Sequence, residues 1–106
     1  MYSFCFYVPE NALEVVKDAV FAVGAGRIGN YDKCCWQVAG QGQFRPLSGS
    51  NPAIGQRDTL ETVLEYRVEM VCEPVSIRAA VEAMRAAHPY EEPAWHVVKI
   101  VTDLPG

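Results

Sequence analysis

From Tyr2 to Val8 the chain alternates, with Tyr2, Phe4, Phe6 and Val8 on one side of an extended backbone and Ser3, Cys5 and Tyr7 on the other. A period of two with aromatic and β-branched content predicts a strand, and the apolar character of both faces predicts a central one. Pro9 and Glu10 end it. Asn11 followed by Glu14 has the spacing of a capping box, opening a helix whose apolar stripe is Leu13, Val16, Val20 and Val23. Gly24 and Gly26 supply its C-terminal stop.

Tyr31 to Ala39 and Gln43 to Pro46 read as two short strand pieces, with Gly40-Gln41-Gly42 as a hairpin turn between them, giving a β-ribbon. Residues 47 to 59 are rich in Ser, Gly, Asn and Pro and predict a surface loop with an isolated apolar Ile54. Residues 62 to 72 carry the clearest alternation, with Leu64, Tyr66, Val68, Met70 and Cys72 opposite Glu65, Arg67 and Glu69. After Pro74, Ser76 is a candidate N-cap for a helix with Ile77, Ala80, Val81 and Met84 on its apolar stripe. That helix should stop near His88, because the residue before a proline is pushed out of helical geometry. Residues 94 to 101 complete the set as a last strand. The order is βαββαβ, which predicts an α+β, ferredoxin-like sandwich with an extra β-ribbon, formed by a single domain over residues 1–106.

Composition narrows the function classes. Thirteen acidic against nine basic residues give a net charge of −4, too negative for a polyanion-binding surface, so no nucleic acid is expected as a partner. No apolar run reaches membrane-spanning length, and the first nine residues lack the basic leader and cleavage site of a signal peptide, so a cytoplasmic protein with no membrane partner is expected. Cys5, Cys34, Cys35 and Cys72 show no CxxC spacing and read as reduced, mostly packed thiols.

Two segments carry candidate chemistry. Gly24-Ala25-Gly26-Arg27-Ile28-Gly29 spells G-x-G-x-x-G, but it follows a helix, whereas a dinucleotide fingerprint follows a strand and opens a helix. A helix stop and tight turn are therefore expected there, with anion affinity left only to a backbone nest and Arg27. His88-Pro89-Tyr90-Glu91-Glu92-Pro93 places an imidazole beside two carboxylates. It offers either a divalent-metal site on His88 and Glu91, with Cys34 or His96 as further donors, or a helix-end histidine in a proline-fixed turn. Ser48 and Ser50 lack a nucleophile elbow, and no catalytic residue is assigned.

The glycine segment continued through Asn30-Tyr31-Asp32-Lys33-Cys34, then Gly42-Gln43-Phe44-Arg45-Pro46-Leu47, Gly49, Asn51-Pro52 and Ile54-Gly55, and finally His88 to Ala94, occur in an order that resembles the inserted domain of the Nif-three-like (YqfO, GTP cyclohydrolase I type 2-like) proteins. The His-Pro-Tyr-Glu turn is also similar to that of the CutA family. The resemblance implies a PII/CutA-like fold and a homo-oligomer, a trimer before a dimer. It does not extend to the histidine and carboxylate metal centre of the larger proteins, which lies on flanking segments. The expectation is thus a non-enzymatic binding module for a small ligand or metal, with no cofactor beyond a divalent metal. Its expected ligand site comprises Gly24, Gly26, Arg27, Gly29, Asn30 and Tyr31 with His88, Tyr90, Glu91 and Glu92, presented at a cleft between subunits. The alternatives are a small metal-dependent hydrolase acting through His88, and an accessory subunit of a separate catalytic protein.

Overall fold

The computed structural model describes residues 1–106. Strand β1 (Tyr2–Pro9) leads through a 3-10 turn at Glu10–Ala12 into helix α1 (Leu13–Ala22). Strands β2 (Trp36–Phe44) and β3 (Glu61–Cys72), helix α2 (Ile77–Ala87) and strand β4 (Trp95–Lys99) follow. The four strands form one antiparallel sheet in the order β2-β3-β1-β4. The doubly apolar β1 is central, as its two-sided pattern predicts.

Residues facing one another across antiparallel strands share a sheet face. Phe4 and Phe6 pair with Met70 and Val68, and these side chains, with Val8 and Cys72, are buried against Val16, Val20, Phe21, Ala80 and Met84 of the two helices. The stripe expected on α1 is shifted at its end, because Phe21 turns into the core while Val23 remains partly exposed. The opposite sheet face carries no helix. Its rows include Trp36, Glu69, Cys5 and His96, then Val38, Arg67 and Tyr7. Trp36 is 63% exposed and Val38 43%.

Three local expectations are corrected. The Asn11–Glu14 capping box does not form, since Asn11 is taken up in the 3-10 turn and α1 starts without a side-chain cap. Ser76 does stand at the N-cap of α2, but its side chain makes no capping bond; only its carbonyl does, accepting from the Ala80 amide. Gly40-Gln41-Gly42 is no turn: β2 runs straight through it, paired from Trp36 opposite Glu69 to Phe44 opposite Glu61. A glycine pair permits a turn without requiring one, and the ladder offered by the twelve-residue β3 satisfies these backbone groups in extended form. The ribbon is therefore the outer end of β2 and β3, where Gln41 to Phe44 pair with Leu64 to Glu61 beyond the reach of β1. The molecule measures 54 × 25 × 24 Å.

The stop after α1 is real. Gly26 has φ +77°, its amide donates to the Val71 carbonyl, and its own carbonyl accepts from Cys34. A Cβ there would meet the Cys34 carbonyl and the Phe21 ring. Gly26→Ala is expected to cost about 1–3 kcal/mol from the left-handed φ and this crowding, measured by urea denaturation; a loss below a few tenths of a kcal/mol would contradict that account.

Candidate functional site

Pro89 ends α2 by forcing His88 into extended geometry (φ −74°, ψ 138°). This swings the imidazole, only 7% exposed, toward the end of β1. Nε2 lies 2.7 Å from the Tyr7 carbonyl, and Nδ1 accepts the Tyr90 amide at 3.1 Å. A carbonyl can only accept and an amide only donate, so the ring is the neutral Nε2–H tautomer with both nitrogens engaged. Burial lowers its pKa, opposed in part by the bond to the Tyr7 carbonyl. The imidazole thus fixes the 88–93 turn to the central strand.

That geometry corrects the expected metal site. His88 has no lone pair free for a cation, and one Glu91 carboxylate oxygen accepts the Asn51 amide at 3.1 Å. No three His, Cys, Asp or Glu side chains converge on one point, whereas a protein zinc site needs about three such donors. His88 and Glu91 do not fit a metal.

Beside the turn lies a cavity of about 400 Å³. Tyr7 and Glu65 reach it from the sheet face without helices, and Tyr90, Glu91 and Glu92 bring the 88–93 turn to it. Phe44, Pro46, Leu47, Pro52 and Ile54 complete the wall from the end of β2 and the 45–60 loop. The Phe44 and Tyr90 rings stand 6.2 Å apart at 49°.

The loop holds its shape by internal bonds. The Arg57 guanidinium donates twice to the Ser50 carbonyl, at 3.0 and 2.7 Å, and the Asp58 amide donates to Pro46. Desolvation raises the pKa of Glu65. It raises that of Tyr90 too, assisted by the negative charge of Glu65.

Of the expected site residues, Tyr90, Glu91 and Glu92 line the cavity, with His88 behind them holding the turn. The glycine segment is elsewhere. Gly26 is bonded to Val71, in the row of Ser3, whereas His88 is bonded to Tyr7; four residues of β1 separate the rows, about 13 Å. Within one chain, then, Gly24, Gly26, Arg27, Gly29, Asn30 and Tyr31 do not join the cavity. The amides of Gly24, Ala25, Gly26, Ile28 and Tyr31 all donate to protein carbonyls, so the expected backbone nest has spent most of its donors. Tyr7, Phe44 and Glu65 were not expected at the site. The only prior signal was the unexplained Ile54 and the motif run at 42–55, neither of which says what a loop folds against.

No family model matches the chain. It is 54% identical over 96 residues to a GTP cyclohydrolase 1 type 2 homolog of Mycobacterium bovis, a match covering 90% of this chain and 25% of that protein. The structure superimposes on a Bacillus cereus protein related to NIF3 with a TM-score of 0.78 at 36% identity, over 91% of this chain and 24% of that one. CutA from Xylella fastidiosa gives a TM-score of 0.70 at 20% identity, over 98% of this chain and 86% of CutA, which speaks to the fold alone. The chain spans about a quarter of the length of the curated relatives it matches. No helix is long and apolar enough to cross a membrane. Along nine-tenths of its length, the chain is a relative of a quarter-length segment of the Nif-three-like GTP cyclohydrolase 1 type 2 homologs, with the fold of CutA.

Proposed function

We propose that this chain is a non-catalytic, homo-oligomeric binding module whose cavity beside the His88 turn receives a small ligand. The observation that carries the reading is the cavity, an apolar and aromatic bowl closed by an internally bonded loop and carrying a few polar groups, the usual composition of a small-molecule site. The groups around it are suited to holding a molecule rather than transforming it. His88, the natural proton carrier, has both nitrogens occupied. The cyclohydrolase in the relatives' name belongs to chains of which the matched segment is about a quarter.

The oligomer rests on the uncovered sheet face. Trp36, Val38 and Val98 are exposed there, flanking a centre where Ser3, Cys5 and Tyr7 lie beside the Arg67–Glu69 ion pair, and burying such a face against copies of itself stabilises a short chain. Light scattering coupled to size exclusion is expected to give a multiple of the 11.7 kDa chain mass. Val38→Glu, which places a charge on that face, is expected to shift the population toward monomer. A monomer at every concentration would overturn the oligomer. The ligand is sought by thermal shift over nucleotides, amines and organic acids, since a ligand at about 100 times its Kd stabilises the fold by about 2.7 kcal/mol.

A further inference from the structure

The floor of the cavity holds a carboxylate that the chain leaves without a partner. Glu65 sits on β3 opposite Gly40, and its carboxylate lies over Gly42, two residues further along β2. A Cβ at position 42 would collide with it. Gly42 does not have the positive φ that explains glycine elsewhere in this chain; what its missing side chain provides is room for Glu65. No hydrogen bond or ion pair within the chain reaches that carboxylate. The Tyr90 hydroxyl, on the same cavity, is shielded from solvent and also has no partner. Buried polar groups are normally satisfied, so the Tyr90 hydroxyl points to a missing partner, and the half-buried Glu65 carboxylate on the same cavity is free to accept a donor.

The surroundings define that donor. Glu91 and Glu92 add two carboxylates, and Arg45 is the only basic side chain on the wall, so the field favours a positive charge. Tyr7, Phe44 and Tyr90 bring aromatic rings to the same space, and ring faces attract cations. A bare metal ion is poorly served, because no three donor side chains converge.

We infer that the cavity selects a small organic cation, an ammonium or amidinium group on an apolar body, with Glu65 and Tyr90 receiving its N–H donors and the aromatic and loop residues receiving the body. The inference rests on the cavity being a ligand site and adds the ligand's charge and shape.

The test is calorimetric titration of the full chain with three probes of one skeleton at pH 7: 2-phenylethylamine as the cation, 2-phenylethanol as the neutral molecule and phenylacetate as the anion. The cation is expected to bind about tenfold more tightly than the alcohol, and the anion more weakly than either. Glu65→Gln should remove most of that preference by weakening the cation far more than the alcohol. Gly42→Ala, which displaces the carboxylate without altering the charge of the chain, should do the same. The two variants act on different strands, and unchanged thermal midpoints identify those that remain folded.

Equal binding of alcohol and cation, or a preference that survives in both variants, would overturn the assignment of Glu65 while leaving the cavity as a ligand site. Failure of all three probes to bind at millimolar concentration, with no perturbation of the Tyr90 ring resonances, would overturn the cavity as well.

Discussion

His88→Ala is expected to lower the unfolding free energy by about 3 kcal/mol, because two buried backbone groups lose their partners at once. The Tyr7 carbonyl and the Tyr90 amide both bond the ring, and alanine replaces neither bond while vacating the space of a residue only 7% exposed. For a chain of this length the midpoint temperature should fall by more than 10 °C, on the order of 4–8 °C per kcal/mol. The pH dependence gives a second readout. Burial depresses the folded-state pKa of His88 below its unfolded value, so the unfolded chain binds the proton more readily. The contribution of the neutral ring is full above the unfolded pKa of about 6.5 and is lost as pH falls through that value toward the folded one. Urea titrations at neutral and mildly acidic pH should show this acid-side loss in the parent chain and a smaller one in the variant. A parent and variant of equal stability at neutral pH would refute the structural role of the ring.

Phe6→Ala should cost about 3–5 kcal/mol, the range for truncating a buried aromatic. Phe6 is fully buried, pairs with Val68 on one side and Trp95 on the other, and stands 5.4 Å from the Phe4 ring. It lies on the central strand between both neighbouring strands, so the core has little freedom to close over the void. Small domains have only about 5–15 kcal/mol in total, and this variant should unfold at much lower denaturant with a similar dependence on its concentration. A loss below about 1 kcal/mol would mean that the helices repack over the gap.

Much of the fold is legible in residue periodicity. β1, β3 and α2 announce themselves because a buried face must repeat every second residue in a strand and every third or fourth in a helix. Pro89 and Gly26 mark helix ends for equally local reasons, a steric clash and a left-handed φ. β2 is less legible. Its glycines at 40 and 42 suggest a turn, but the ladder with β3 holds both extended, and only at Gly42 does the Glu65 carboxylate occupy the space a side chain would take. The Asn11–Glu14 spacing misleads for a similar reason: the 3-10 turn after Pro9 occupies the residues the cap would need.

The candidate site is legible only in part. Tyr90, Glu91 and Glu92 stand out because polar residues between two prolines are conspicuous in sequence, and they do face the cavity. The glycine segment is equally conspicuous and lies at the other end of β1. Its glycines answer a local demand for a helix stop, and motif spelling does not distinguish that demand from phosphate binding.

The sequence by itself determined the βαββαβ order, the central position of β1, the ends of both helices and the acidic character of the surface, since each follows from local sterics or from counting. Only the tertiary structure decided that His88 is a neutral, doubly bonded anchor, that the Glu65 carboxylate lies over Gly42, and that Tyr7, Phe44 and the 45–60 loop meet at one cavity. Those facts depend on pairs of residues far apart in the chain. Their contacts are set by sheet register and by how a loop folds back, which no periodicity along the chain records.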